Sequence, residues 1–297
     1  LYWSTAMQGV VFPNLTHLDE GLRNIFSDKR FRQALSLAIN REEINQKIFY
    51  GKATPTQLTV PPVNSYHKES YRKAYADYAP ERARKLLDDM GMTDTKGNRY
   101  RERPDGEIFN PVLLCKSGDP TITKMTELMR HYWSKVGVNI DIRQFSGGLQ
   151  HQRWTSNHFD LSYGGISCLT DLTFGQPWRT SRAFAPVEGA DRSPWPAYVT
   201  WSRTDTKGME PPAPLKKMLT HGKRLYQSPD EEVRAKAAHK LLETQAENLW
   251  AIGTITLTPY PIIVGERLEN IPRKGVMDWG LRHLQPMYPM QFYLEPK

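Results

Sequence analysis

Six aromatic side chains stand out as candidates for contact with a small molecule. They follow or flank predicted strands in the second half of the chain: Trp154, Tyr163, Trp178, Trp195, Tyr198 and Trp201. Aromatic faces supply large, rigid contact areas with a polar edge, which suits sugar rings and peptide side chains. The alternative is that most of these rings pack a long loop onto the domain. For the group as a whole, we expect at least one or two rings to contact a ligand.

Motifs of catalysis and metal binding are missing from the sequence. There is no phosphate-binding loop, no G-x-G-x-x-G and no H-E-x-x-H, and Gly165-Ile-Ser-Cys-Leu169 lacks the closing glycine of a nucleophile elbow. The eight histidines are scattered, and His151 with His158 is the nearest approach to a pair. We therefore predict no catalytic residue, no metal site and no cofactor.

The elements that must position the aromatic residues alternate between strand and helix. Extended segments are predicted at 111–115, 138–145 and 159–166, with helices at 121–136 and 147–156. Such alternation is typical of an α/β layer, in which open sheets bind ligands outside the carboxyl ends of their strands. Residues 165–214 lack this periodicity and predict a long loop, and helices resume at 215–226 and 229–248.

Composition and charge describe a globular protein with a basic balance. The chain has 297 residues and a formal net charge of +8, and its basic residues alternate with acidic ones along most of the sequence. A nucleic-acid binder would show clustered Lys and Arg on one element, so we predict no nucleic-acid partner. No apolar run reaches the roughly 20 residues of a membrane helix, which predicts at most a peripheral membrane contact. Cys115 and Cys168 could form one bridge or remain separate thiols.

Two helix signals lie back to back between Asp28 and Ile44. Apolar residues recur there at three- and four-residue steps: Phe31, Ala34, Leu35, Ala38 and Ile39. This stripe places Arg32, Gln33 and Ser36 on the opposite face. Asn40 can cap a second helix, which is expected to end near Gly51.

The run from Asp28 to Ile44 resembles the signature of the extracytoplasmic solute-binding proteins of ABC importers, family 5. It reads Asp-Lys-Arg-Phe-Arg-Gln-Ala-Leu-Ser-Leu-Ala-Ile-Asn-Arg-Glu-Glu-Ile. This family takes up oligopeptides, dipeptides, nickel complexes and some oligosaccharides. The resemblance covers the C-terminal portion of the family's longer members, and we expect the chain to correspond to that portion.

The resemblance implies an α/β fold. It would be one lobe of a two-lobed, type II-like periplasmic-binding-protein fold, with a mixed sheet, flanking helices and remnants of the other lobe. Residues 1–14 would be a first-lobe remnant with the first hinge strand, and 15–252 the ligand-binding lobe. Residues 253–264 would form the second hinge strand, and 265–297 a tail belonging to the first lobe.

Asp171 is a candidate ligand anchor on the same resemblance. In peptide-binding relatives, a strand with the pattern Phe-Asp-x-x-x-x-Gly is followed by an aromatic residue and then by an acid that pairs with the peptide α-amine. Phe159-Asp160 and Gly165 match, but Ile166 stands in the aromatic position and Leu169 in the acidic one. Asp171 can serve if the loop is two residues longer. The alternative is an aspartate that caps the loop at the surface.

These features together predict a binding protein that is not an enzyme. The resemblance implies a periplasmic or lipid-anchored subunit that closes two lobes around a solute and delivers it to a transmembrane ABC permease. The family favours a short peptide, whereas the tryptophan content favours an oligosaccharide. A secreted carbohydrate-active enzyme is the rival from another class, and it would require two carboxyl groups facing each other across a cleft.

Overall fold

The computed structural model describes residues 2–167, 169–171, 173–174, 184, 193–261, 263–272, 274–278 and 289–295. Its strands in chain order are β1 (Tyr2–Ser4), β2 (Met7–Pro13), β3 (Thr54–Pro55), β4 (Val112–Lys116), β5 (Asp141–Phe145), β6 (Leu161–Ile166), β7 (Ile255–Thr256), β8 (Thr258–Tyr260), β9 (Leu268–Glu269), β10 (Gly275–Met277) and β11 (Tyr293–Leu294). The central sheet has six strands in the order β3-β7-β2-β6-β4-β5. Strand β4 runs parallel to both β5 and β6, while β2 runs antiparallel to β6 and β7. The predicted α/β layer with a mixed sheet is confirmed.

Ten described helices surround this sheet. They are α1 (Glu20–Ser27), α2 (Lys29–Ala38), α3 (Arg41–Phe49), α4 (Glu69–Lys73), α5 (Pro80–Asp88), α6 (Pro120–Ser134), α7 (Gly147–Thr155), α8 (Pro196–Thr204), α9 (Ala213–Gln227) and α10 (Glu231–Asn248). Helix α2 packs along α5, and α9 packs along α10. One continuous cluster of buried apolar side chains joins the sheet to these helices, so the burial of apolar surface holds the layers together.

Polar residues begin several of these helices. Their side chains accept hydrogen bonds from backbone N–H groups of the first turn, at Asp19, Asp28, Asn40, Asp119, Ser146 and Asp230. The predicted cap at Asn40 is confirmed, because its Oδ1 accepts a hydrogen bond from Glu43 N at 3.0 Å. Each such cap satisfies a donor that the helix itself leaves unpaired.

Helix α2 is buried on all sides from Phe31 to Ala38, which corrects the prediction that Arg32, Gln33 and Ser36 face away from the core. These three residues are at most 5% exposed. Arg32 donates to three backbone carbonyls at 3.0, 3.1 and 2.6 Å, and its guanidinium lies 5.0 Å from the ring centre of Trp250. Ser36 Oγ donates to another carbonyl at 2.7 Å. Hydrogen bonding to distant segments therefore makes their burial possible.

Helix α8 lies within the stretch 165–214, where a loop is predicted. It begins at Pro196, whose fixed φ suits the first helical position, and ends at Asp205 in the left-handed region with φ +55°. The helix has only nine residues and few apolar ones, so its periodicity is weak. Trp195 and Trp201 therefore belong to the start and the interior of a helix.

A second sheet of three strands lies beside the first, with β1 between β10 and β8. The chain crosses between the two sheets at Thr5–Ala6 and again at Leu257, which has φ +49°. Buried Asp278 joins this junction, because its Oδ2 accepts hydrogen bonds from Thr5 Oγ1 at 2.7 Å and from Leu169 N at 3.1 Å. Both crossing points fall inside the segments 1–14 and 253–264.

No helix in the described ranges is both long and apolar enough to cross a membrane. Within the same ranges, no three His, Cys, Asp or Glu side chains are grouped so that they could hold a metal ion. Cys115 is buried in β4. Cys168 lies outside the described residues, so the choice between a bridge and two thiols stays a prediction.

The pair of helices α9 and α10 should make stability depend on pH. Burial and the nearby charges of Arg224, Lys240 and Lys217 lower the pKa of His221, and burial and Lys68 lower that of His239. Both imidazoles are therefore harder to protonate in the folded chain than in the unfolded chain. The two neutral imidazoles therefore give their full stabilisation of the folded chain above the ordinary histidine pKa of about 6.5. This stabilisation is lost as the pH falls through the lowered pKa values that they have in the folded chain.

We expect the melting temperature to fall between pH 7.5 and pH 5.0 by on the order of a few degrees. The double variant His221→Gln/His239→Gln should flatten this dependence in thermal unfolding followed by circular dichroism. If the melting temperature of the double variant depended on pH as steeply as that of the unmodified chain, other titratable groups would be responsible for the pH dependence. The exposed His131 gives a matched control, since His131→Gln should leave the slope unchanged.

Candidate functional site

A cavity of about 420 Å³ opens at the edge of the central sheet where β4 and β6 end. Its lining comes from β2, β4, β6, the first turn of α6 and one side of α7: Gln8, Lys116, Ile122, Gly147, Gly148, Gln150, His151, Trp154, Tyr163, Gly164 and Gly165. This is the carboxyl edge of the parallel strands, where open α/β sheets bind their ligands. The size and the mixed apolar and polar lining suit a small organic molecule.

Helix α7 and strand β6 hold one wall of the cavity together. Gln150 Nε2 donates a hydrogen bond to Tyr163 O at 2.9 Å, and the Trp154 indole N–H donates to Ser162 Oγ. The Trp154 ring meets Phe12 edge to face, with ring centres 5.7 Å apart. Both helix and strand are therefore fixed before any ligand arrives, which lowers the entropy cost of binding.

Tyr163 forms a neutral part of this wall. Its side chain is 3% exposed, and its hydroxyl donates to Met125 Sδ at 3.1 Å. Burial, with the nearby charge of Asp119, raises the pKa of the Tyr163 phenol far above its ordinary value. The phenol stays protonated at any physiological pH, so it supplies a ring face and no charge.

Four glycines belong to the cavity lining, and two of them show what a side chain would meet there. A Cβ on Gly148 would meet nothing within 4 Å, whereas one on Gly165 would lie 3.1 Å from Met7 O. Neither residue has the positive φ that would demand glycine for backbone reasons. Gly148 therefore marks free space above the first turn of α7, and Gly165 marks a close approach of β2 to β6.

The structure brings together only part of the predicted set. Trp154 and Tyr163 line the cavity. Asp171 does not line it, because its Oδ1 accepts hydrogen bonds from Ser65 N at 2.8 Å and Ser65 Oγ at 3.0 Å on another part of the surface. Its observed contacts are those of the loop-capping alternative.

Trp195 and Trp201 also lie away from the cavity. Trp195 is fully buried and its indole N–H donates to Pro13 O at 2.9 Å. Trp201 lies on α8 under the ammonium group of Lys216, 5.0 Å from the ring centre. Trp178 lies outside the described residues. The Trp195 and Trp201 side chains have the packing contacts that the alternative interpretation of the aromatic group describes.

Sequence reasoning missed the polar members of the lining. Gln8, Lys116 and Gln150 belong to no motif, and Gln8 is separated from the others by more than a hundred residues. A usable signal was the pair Gly147-Gly148 directly after a strand, since small residues at such an edge leave room for a ligand. The described lining has one histidine and no Cys, Asp or Glu, so it offers no ligand set for a metal.

Comparison with known proteins places these features in a family. A family model described as "Bacterial extracellular solute-binding proteins, family 5 Middle" matches residues 4–182, which is more than half of the chain. The oligopeptide-binding protein OppA of Lactococcus lactis subsp. lactis is 26% identical over 176 residues, covering 54% of this chain and 29% of that protein.

Solved structures agree over nearly the whole chain. A structure of an oligopeptide-binding protein OppA is similar with a TM-score of 0.80 and 29% identity, covering 99% of this chain and 48% of that one. The periplasmic binding protein MelB of Agrobacterium fabrum C58, solved with stachyose, has the same fold with a TM-score of 0.69 and 19% identity, covering 91% and 41%. The chain thus spans about half the length of these structures or less. It belongs to the bacterial extracellular solute-binding proteins of family 5.

Proposed function

We propose that the chain forms the ligand-binding lobe of a solute-binding subunit of an ABC importer, acting in the periplasm or anchored outside the membrane by a lipid. The observation that supports this most strongly is the cavity beside Trp154 and Tyr163, at the carboxyl edge of the sheet, in a chain of this family. Members of the family bind solutes rather than transform them. The described lining accordingly needs to hold a molecule and not to react with it.

Lobe closure is the proposed means of capture. Segments 1–14 and 253–264 each place strands in both sheets, so both can act as hinge strands between 15–252 and the remnants at 1–14 and 265–297. A ligand that contacts both lobes favours the closed arrangement by its extra contacts there. The closed subunit would then deliver the solute to its transmembrane permease.

A short peptide is the proposed solute class. Relatives that are 26% and 29% identical to this chain over the aligned part are named for oligopeptide binding. An oligosaccharide is the second candidate, because the cavity wall is aromatic and a structure of the same fold was solved with stachyose. The rival glycosidase interpretation lacks support, since the described lining contains no pair of carboxyl groups.

Filling the cavity should abolish binding without unfolding the chain. In Gly148→Phe the new ring enters free space at the start of a helix, so we expect wild-type stability and at least a tenfold loss of affinity. The measurement is an NMR titration of the 297-residue chain with trialanine and with stachyose, following the assigned indole N–H signal of Trp154. Millimolar affinities remain visible by this method.

Gly265→Phe is the matched control, because a Cβ there also meets nothing within 4 Å and the site is exposed and outside the lining. It should bind the probes like the unmodified chain. Equal binding by Gly148→Phe would contradict the proposed site. Conversion of either probe into a product would contradict the proposal of a binding protein.

A further inference from the structure

The charges in the cavity lining are of one sign. Lys116 is the only permanently charged residue of the described lining, and no Asp or Glu is among its members. The remaining polar side chains are the amides of Gln8 and Gln150, the imidazole of His151 and the phenol of Tyr163. A cationic group placed there would meet no carboxylate of the described lining, whereas an anionic group would meet an ammonium.

Lys116 has no competing anion in the described part of the chain. No carboxylate oxygen of a described residue lies within 4 Å of its ammonium nitrogen. Asp119 follows three residues later, but it caps α6, where its Oδ1 accepts a hydrogen bond from Thr121 N at 2.8 Å. By contrast, Lys47, Lys236 and Lys240 each pair with a glutamate on their own helix.

Lys116 is exposed in the cavity, and its stem passes close to the first residue of α7. Its Cε lies 3.6 Å from the place where a Cβ on Gly147 would stand, at the first turn of α7. The positive end of a helix disfavours a neighbouring cation, so Lys116 sits in a local electrostatic conflict within an open cavity. Residues that break a local rule in this way are expected at functional sites, where a ligand relieves the conflict.

We propose that the cavity selects a ligand with an anionic group, a carboxylate that pairs with the Lys116 ammonium. This inference rests on the proposed function and names the chemistry of its solute. An ammonium–carboxylate pair is a charge-assisted hydrogen bond, and the Gln8 amide can donate a further bond from the opposite side of the cavity. The carboxylate can come from a peptide C-terminus or from a uronic acid, which share this chemistry.

The test uses three peptides that differ only in charge, followed at the Trp154 indole signal of the 297-residue chain. They are N-acetyl-trialanine, which is anionic, N-acetyl-trialanine amide, which is neutral, and trialanine amide, which is cationic. The anionic peptide should bind roughly fivefold tighter than the neutral one, and the cationic peptide most weakly. Glucuronic acid and glucose form the second arm, and charge preference in only one arm assigns the source of the carboxylate.

Lys116→Glu should remove or reverse the preference, while Lys52→Glu, an exposed site outside the lining, should keep it. Equal affinity of the unmodified chain for the anionic and neutral peptides, with glucose equal to glucuronic acid, would overturn the inference and leave the proposed binding site standing. An unchanged preference in Lys116→Glu would also overturn it. If none of the five probes shifts the Trp154 signal, both the inference and the proposed function fail.

Discussion

Replacing Arg41 with alanine should lower the free energy of unfolding by roughly 3 to 5 kcal/mol. Arg41 is buried at the start of α3, and its guanidinium donates hydrogen bonds to backbone carbonyls and to the Ser36 hydroxyl. Nε and Nη2 donate to Gly253 O at 3.0 and 2.8 Å, and Nη1 donates to Ser36 O at 2.9 Å and Ala76 O at 3.1 Å. These carbonyls belong to three separate segments.

Burial lowers the pKa of the Arg41 guanidinium to about 9, so the group is still charged at neutral pH. Alanine would leave a void and several carbonyls without donors, each of which costs about 1 to 3 kcal/mol when buried. Lysine at Arg41 cannot restore the arrangement, because a single ammonium does not reproduce a planar fork of five donors. We therefore expect Arg41→Lys to remain clearly destabilised.

Urea unfolding followed by tryptophan fluorescence measures this effect. Arg130→Ala is the matched control, since Arg130 is exposed on α6 and pairs only with Glu127. That variant should stay within about 0.5 kcal/mol of the unmodified chain. A loss of less than about 1 kcal/mol in Arg41→Ala would show that the buried guanidinium does not hold these segments together.

Replacing Gly9 with alanine should cost about 2 to 4 kcal/mol, from backbone strain and steric overlap together. Gly9 lies within β2 with φ +69°, in the left-handed region. A Cβ there would stand 2.4 Å from Thr254 Oγ1 and 2.5 Å from Met125 Cε. Thr254 cannot easily withdraw, because its hydroxyl is hydrogen-bonded to Gln8 O at 2.7 Å.

Gly9→Ala should also alter the wall of the candidate site. The new methyl carbon would lie 3.3 Å from the Tyr163 hydroxyl, so the bond from Tyr163 to Met125 should be displaced. We expect a lower urea midpoint and an altered Trp154 indole signal even without ligand. Gly265→Ala, in open space, should change neither. A wild-type midpoint for Gly9→Ala would show that β2 can relax away from Thr254 and Met125.

Local sequence patterns predicted the elements that carry the fold. The helix pair at Asp28–Ile44, the cap at Asn40 and the alternation from 111 to 166 all depend on neighbours in the chain, and the structure has them. The prediction that Arg32 and Ser36 face outward was wrong, because their burial depends on residues that are distant in the sequence. Their carbonyl partners belong to segments far along the chain, and no periodicity encodes such contacts.

The candidate site was predictable only in part, for the same physical reason. Trp154 and Tyr163 could be identified because aromatic residues near strand ends have a general binding chemistry. Lys116 and Gln8 reach the cavity through the pairing of β2 with β6 and of β6 with β4, which is a property of the sheet. Asp171 was a candidate because of its place after the Phe159-Asp160 pattern of the family, but its carboxylate accepts hydrogen bonds from Ser65.

Backbone NMR of the 297-residue chain with N-acetyl-trialanine can locate the bound ligand residue by residue. We expect the largest shifts of amide signals at 147–151 and 163–165, around the cavity. Gly148→Phe should lose these shifts. Largest shifts at Ser65 and 169–171, with none around α7, would instead place the ligand at Asp171 and rule out the cavity as the binding site.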